Sequence, residues 1–525
     1  MPRRHRGLPA SEMLQRIAGV LVPLFSLRTT DDLGRGEIRG LIPMADFALA
    51  MGHRMIQLLP IDETAPGETS PYGAMSVMAI DPLYISARGL DGVDAADIEA
   101  ARLSAGPGDP PDAVKLKAAR MDLLRKSFHH FAAKASPEDR RAFEEFQHRN
   151  REWLHDYALF RALKEKFRWS EWAAWPEGLS RRTPAALKAA AREFADETST
   201  YAYIQFVAHR QWSDVRAELA RRGVIVGGDL SFSPARESAE VWANQEMFDL
   251  ARTVGAPPDA FSKDGQRWGL PMPDWARMRA QGFSLIRTRI RQARELFDLL
   301  RIDHVVGLFR TYAFGIDSGA PGAFDPPDQD DQRAQGAEII RAIKEEAGPL
   351  EIFAEDLGVI PPFVRESLMA LGLPGYKVMR WEREWKVAGQ PFIDPATYSE
   401  LSVATTGTHD TETMAEWWRE ANADERCQFV TSLRLADALD PRRDRLDDRA
   451  VGAILSSLYA APSRLTIAPV QDLFGWEARI NTPGTVDPVN WKWRLPFALD
   501  RFRDNRDLVS KLAVLRAIAS RTHRL

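Results

Sequence analysis

Eight short apolar runs, bounded by glycine, proline or acidic residues, constrain this chain more than any other feature of it. They are GVLVPLF (19–25), MIQLLPI (55–61), VIVGGDL (224–230), LLRIDHV (299–305), EIFAEDL (351–357), YKVMRW (376–381), SVATTG (402–407) and LTIAPV (465–470). Runs of this length without polar alternation mark strands buried on both faces, as parallel strands are. Most are separated by stretches of helical period, such as GEIRGLIPMADFALAMG before the second run and QGFSLIRTRIRQARELFD before the fourth. Strand, helix, strand repeated eight times describes an α/β chain folded as a (β/α)8 barrel. An open doubly wound sheet is the alternative that strand counting leaves standing.

The runs are unevenly spaced. Residues 86–222, between the second and third, carry amphipathic patterns such as PDAVKLKAARMDLLRKSFHHFAAK, punctuated by proline and glycine. This is the pattern of a mainly helical insertion beside the barrel, with 231–298 as a further insertion and residues 1–525 as one catalytic unit. His129, His130, His148 and His155 fall in the helical insertion at spacings that match no metal-site template, and read as solvated helix residues.

Composition narrows the partners. A net charge of -4 offers no basic field for nucleic acid. Cys427 is the only cysteine, so neither an internal disulfide nor a cysteine-rich metal site can form, and a reducing cytoplasm is the expected setting. The basic start, MPRRHRGLPA, precedes an apolar run too short for a membrane span and without a small-residue cleavage site.

In a barrel the chemistry gathers where strands end. Reading those ends in order gives Asp229, then Asp303 and His304, Glu355 and Asp356, His409 and Asp410, and Gln471 and Asp472. A carboxylate leaving an apolar run needs a partner or a purpose, because burying it alone costs several kcal/mol. One reading is a ring of salt bridges with neighbours such as Arg301. The other is a working site, and carboxylates without cysteines or a histidine triad suit a hard cation or glycoside chemistry. Fifteen tryptophans tilt the choice toward sugar, since flat rings pack against pyranose faces; Trp242, Trp268, Trp275, Trp476, Trp491 and Trp493 lie in loops near the expected rim. Of these, Trp275 and Trp491 read better as core.

These residues carry a resemblance. SPYGAMSVMAIDPLYI (70–85), GGDLSFSPARESAEVWAN (227–244), APPDAFSKDGQRWGLPMPDW (256–275), RIDH (301–304), AEDLG (354–358), TGTHDTET (406–413), QDLFG (471–475) and RINTPGT with NWKWR (479–494) occur together and in order. In them the chain resembles the 4-α-glucanotransferases (amylomaltases or disproportionating enzymes, glycoside hydrolase family 77), a branch of the α-amylase superfamily. The resemblance implies that Asp303 is the nucleophile, Glu355 the acid/base and Asp410 the transition-state stabiliser. It further implies that Tyr72 stacks on the sugar at the cleavage point while Asp229, Gln266, Trp268 and Asn481 line the glucan groove, with α-1,4-glucans and maltooligosaccharides as partners and neither cofactor nor metal.

The roles have physical requirements. Asp303 must stay charged while Glu355 keeps a proton; Arg301, two residues before Asp303, is placed to stabilise the first, and burial beside two aspartates raises the second. His304 and His409 are donors suited to sugar hydroxyls. The chain departs from the family pattern at Leu270, Pro273 and Val306, which bear on the acceptor side. A hydrolase of the same superfamily, with water as acceptor, shares every one of these requirements; a glucan-binding protein without catalysis needs none of the three carboxylates.

Overall fold

All eight apolar runs form parallel strands in the computed structural model, which describes residues 16–258, 265–317, 320–485 and 487–525. The basic start (1–10) and residues 259–264 of the loop motif lie outside the described residues. The strands are Ile17–Leu21 (β1), Met55–Gln57 (β2), Ile225–Leu230 (β3), Leu299–Ile302 (β4), Glu351–Ala354 (β5), Gly375–Val378 (β6), Ser402–Thr405 (β7) and Leu465–Pro469 (β8). They pair side by side in the order β5-β4-β3-β2-β1-β8-β7-β6, the order of a (β/α)8 barrel. Each strand is shorter than its apolar run, and in all but β3 the last residues of the run leave the ladder and form the rim.

Close packing on both faces of β3 explains its glycines: a Cβ on Gly227 would stand 2.3 Å from Gln57 Oε1. A Cβ on Gly228 would stand 2.3 Å from the Phe297 ring, so the strand can pass that aromatic only bare. Outside the ring, helices cover the strands with apolar stripes. Helix Ser284–Leu296 buries Ile286, Ile290 and Ala293 at i, i+4 and i+7. Helix Asp448–Ala460 starts where the Asp447 side chain accepts from Ala450 N, and helix Arg506–Arg521 where Asn505 accepts from Leu508 N.

The ring has one unusual joint. Seven neighbouring strand pairs share parallel ladders, but β5 and β6 meet through one backbone bond, Ala354 N to Pro374 O at 2.8 Å. Beside it the Asp356 carboxylate takes the place of a backbone carbonyl, accepting from Tyr376 N at 2.7 Å. Gly375 makes room for this clasp, since a Cβ there would lie 2.6 Å from Asp356 Oδ1. Asp356 is buried, and Arg365 approaches its other oxygen at 3.3 Å.

Two excursions flank the mouth of the barrel. After β2 comes a hairpin, Asp62–Thr64 with Ala74–Ile80, and then helices Ala95–Ala105, Ala113–Lys134, Pro137–Arg149, Leu154–Lys166, Pro184–Glu193 and Ala195–Arg221. A buried ionic network ties these helices to the hairpin. Glu63 accepts from Arg161 Nε at 3.0 Å and from the Tyr157 hydroxyl, and Lys117 reaches Asp81 at 3.1 Å. Such pairs add little net stability but penalise any other docking of the helices. The second excursion is a four-stranded antiparallel sheet. Two strands, Phe248–Ala256 and Gln266–Pro273, fall within 231–298, but Thr311–Gly315 and Ala323–Asp325 come from the far side of β4. The sheet is therefore assembled from both sides of a barrel strand, with Phe248–Ala256 pairing to Thr311–Gly315.

Trp242, read from sequence as a rim residue, is a correction. It is fully buried under the Arg182 guanidinium, 4.2 Å from its ring, and its Nε1 donates to Leu179 O. It packs the insertion rather than facing the mouth.

The clasp at the β5–β6 joint yields a test of stability. Asp356→Ala leaves Tyr376 N buried without an acceptor and should cost about 2–3 kcal/mol, seen as a lower denaturant midpoint at unchanged m. An unchanged midpoint would show that the joint holds without the carboxylate.

Candidate active site

The site grows from the register of β4 and β5. Leu299 pairs with Glu351 and Ile302 with Ala354, so the next residues, Asp303 and Glu355, stand side by side at the rim. Adjacent strands are about 4.8 Å apart, so the two residues leave the sheet as close neighbours. The ladder continues with Glu355 N donating to Ile302 O at 2.8 Å, then slips by one residue. Val305 N, not His304 N, donates to Glu355 O. His304 adopts a left-handed φ of 46°, and its freed N–H donates to Glu355 Oε2 at 2.9 Å. A non-glycine residue there stores backbone strain, as functional sites often do. Leu357 N donates to the other Glu355 oxygen at 2.8 Å, so the carboxyl is fixed by two backbone groups.

Arg301 organises the acidic floor. Its Nη1 lies 2.9 Å from Asp303 Oδ1 and 2.7 Å from both oxygens of Asp229. The Tyr72 hydroxyl donates to Asp229 Oδ2 at 2.7 Å. The Asp229 side chain has 0% exposure, whereas Asp303 keeps 22% open. Asp229 therefore lies beneath the groove surface, holding Arg301 and Tyr72, while Asp303 reaches the groove.

The electrostatics follow from this arrangement. Burial pushes the Glu355 carboxyl up, Arg301 opposes the rise, Asp303 adds to it, and the result is about 7. Burial also raises Asp229, against the pull of Arg301. At Asp410, desolvation works upward but is outweighed by His409, by the amide of Asn481 and by Arg301, which hold it at about 2. Burial lowers His304 to about 4, so its imidazole is neutral near neutral pH.

Asp410 closes the far side. It is 44% open to the groove; Asn481 Nδ2 donates to Oδ1 at 2.6 Å and His409 Nε2 lies 3.2 Å from Oδ2. The His409 ring stacks on Tyr72 at 5.3 Å and 18°. Trp491 closes the same corner, 6.0 Å from Tyr72 and 5.9 Å from His409. On the opposite wall Trp268 meets His304 edge-on at 4.8 Å, and its Nε1 donates to Gln266 Oε1. All eleven residues singled out by sequence, Tyr72, Asp229, Gln266, Trp268, Arg301, Asp303, His304, Glu355, His409, Asp410 and Asn481, thus fall in one connected cluster.

Two other rim acids do different work. Asp356 clasps β6, and Asp472 is buried, accepting from Thr406 Oγ1 and from Met414 N at 2.7 Å. One residue escaped sequence reasoning. Arg479, the arginine of RINTPGT, donates from Nη2 to Asp410 O at 2.9 Å and from Nε to Asn481 O at 3.1 Å. It pins both partners of the Asp410 pair by their backbones, and its position two residues before Asn481 was the available signal.

An acid near 7 beside an arginine-held carboxylate, in a cleft walled by aromatic rings at the mouth of a (β/α)8 barrel, defines a carbohydrate-active enzyme of the barrel class. The family model described as 4-alpha-glucanotransferase, glycoside hydrolase family 77, matches residues 22–500. The chain is 36% identical over 493 residues to the 4-alpha-glucanotransferase of Thermus thermophilus, covering 91% of this chain and 93% of that one. It is 32% identical over 500 residues to that of Chlamydia pneumoniae, covering 92% of each. Among solved structures, the amylomaltase from Streptococcus agalactiae in complex with acarbose superposes with a TM-score of 0.83 at 26% identity, over 97% of this chain and all of that one. The chain belongs to the 4-α-glucanotransferase family.

Arg479 gives the prediction for this site. Arg479→Met should lower kcat about 10- to 100-fold with a smaller change in KM, because Asp410 and Asn481 lose their common anchor while the groove walls remain. Wild-type kcat in a folded variant would show that the anchor is dispensable.

Proposed function

We propose that this 4-α-glucanotransferase works by a retaining double displacement on α-1,4-glucans, with Asp303 as nucleophile, Glu355 as acid/base and Asp410 as transition-state stabiliser. The observation that carries this reading is the pairing of Glu355, raised to about 7, with its neighbour Asp303 on the Arg301 guanidinium. One carboxyl is supplied with a proton and the other with a counter-charge.

In the first step an Asp303 oxygen bonds to the anomeric carbon as the glycosidic C–O bond breaks, and the Glu355 proton passes to the leaving oxygen. The products are a glucosyl ester on Asp303, a free 4-hydroxyl on the departing chain and an ionised Glu355. In the second step Glu355 takes the proton of an incoming 4-hydroxyl, whose oxygen bonds to the anomeric carbon as the ester C–O bond breaks. The α-linkage is restored and both carboxyls return to their starting states.

The remaining residues supply binding that strengthens at the transition state. Asp410, ionised with its Oδ1 held by Asn481, is available to hydroxyls that shift as the ring flattens. Tyr72 stacks on the reacting sugar, oriented by Asp229 below and His409 beside it. Trp268 and Gln266 form the wall over His304, and the segment 231–298 contributes to the groove through them. The working compartment is a reducing cytoplasm, consistent with the free and exposed Cys427.

Incubation with maltotriose tests the reading. Glucose together with a ladder of longer oligomers supports transfer, whereas maltose and glucose alone assign the chemistry to water. Asp303→Asn should keep the fold, by circular dichroism, and lower turnover about 1000-fold or more; retained activity would remove Asp303 from the nucleophile's role.

The pH profile tests the proton assignment. The first step needs protonated Glu355, so kcat/KM should fall as pH rises through about 7, approaching a tenfold loss per unit above it. A profile flat to pH 9 would assign the acid elsewhere.

A further inference from the structure

Of the chain's 15 tryptophans, all within the described residues, only Trp381 and Trp385 are exposed, at 40% and 61%. They lie four residues apart on the loop that leaves β6 at the rim carrying Asp303, Glu355 and Asp410. Exposed indoles are unfavourable in water, and a pair confined to the catalytic face calls for a ligand.

The loop is built to hold them still. Glu384 N donates to Pro391 O at 3.0 Å and Ile393 N to Glu382 O at 2.9 Å, making a short hairpin. Arg383 lies 3.8 Å over the Phe392 ring and bonds to Gln428 and Glu425, fastening the hairpin to helix Ala423–Ser432. At its stem, Arg380 Nη2 donates to Glu412 O at 2.6 Å, which ties the loop to the segment bearing Asp410. Glu382, Arg383, Glu384 and Lys386 balance in charge, so the surface offers flat apolar faces without a field for an ionic partner.

We propose that Trp385, with Trp381 inward of it, is an outer platform for the α-glucan chain, stacking on sugar units of a polymer that also occupies the catalytic groove. Stacking on a fixed indole gains affinity at low entropic cost, and only substrates long enough to reach the hairpin benefit. The inference rests on the glucan reading of the site and adds a dependence on chain length.

The test compares a long amylose-type chain with maltotriose. In Trp385→Ala the ratio of kcat/KM for the long chain to that for maltotriose should fall about three- to tenfold, and Trp385→Phe should restore most of it. An unchanged ratio overturns the platform. Binding is read separately in an Asp303→Asn background by retardation in an amylose-containing gel, where Trp385→Ala should migrate faster; equal retardation also overturns it. A wild-type dimer that becomes monomeric in Trp385→Ala by light scattering would assign the surface to a second copy instead. If the wild type fails to disproportionate maltotriose, the proposed activity falls, while gel retardation still decides the platform.

Discussion

One buried guanidinium sets the terms for this site. Arg301 is shared between Asp229 and Asp303, and removing it would leave two carboxylates facing each other in a low-dielectric mouth. Its position has consequences on three sides. It pairs with Asp303 at 2.9 Å, it orients Asp229 to receive the Tyr72 hydroxyl, and through Tyr72 it fixes the stack on His409. Glu355 feels both Arg301 and Asp303, so burial decides its proton. One residue outside the three carboxyls thus connects Asp303, Asp229 and, through Asp229, Tyr72.

Tyr72 shows how the excursions serve the barrel. It stands in the turn of the hairpin after β2, yet its hydroxyl bonds to the end of β3 and its ring packs on the loop after β7. The hairpin is in turn locked to the helical insertion by Glu63, Arg161 and Lys117. A large part of the helical mass thus holds one aromatic ring in place.

Much of this architecture was legible in the sequence, for a physical reason. Strands buried on both faces read as unbroken apolar runs, and a carboxylate at the end of such a run marks the rim, as at Asp303, Glu355 and Asp410. What the runs could not convey was direction. Glu355 and Asp356 are neighbours in sequence, but successive residues point to opposite sides, so one faces the groove and the other the joint with β6. The four-stranded sheet was hidden because its pairing joins segments separated by a barrel strand, and local pattern carries no record of that. Trp242 misled because a loop motif does not say which way an indole packs, and Arg479 was overlooked because its bonds run to backbone carbonyls that any residue would offer.

The clasp between β5 and β6 has a mechanical meaning. β4 and β5 are joined by a regular ladder, and they carry Asp303 and Glu355. On its other side β5 is fastened by one backbone bond and a side chain. Opening the ring between β5 and β6 therefore breaks fewer bonds than opening it between β4 and β5. The spacing of Asp303 and Glu355 is set by the regular ladder, and the weakest seam of the ring lies one strand away from that pair.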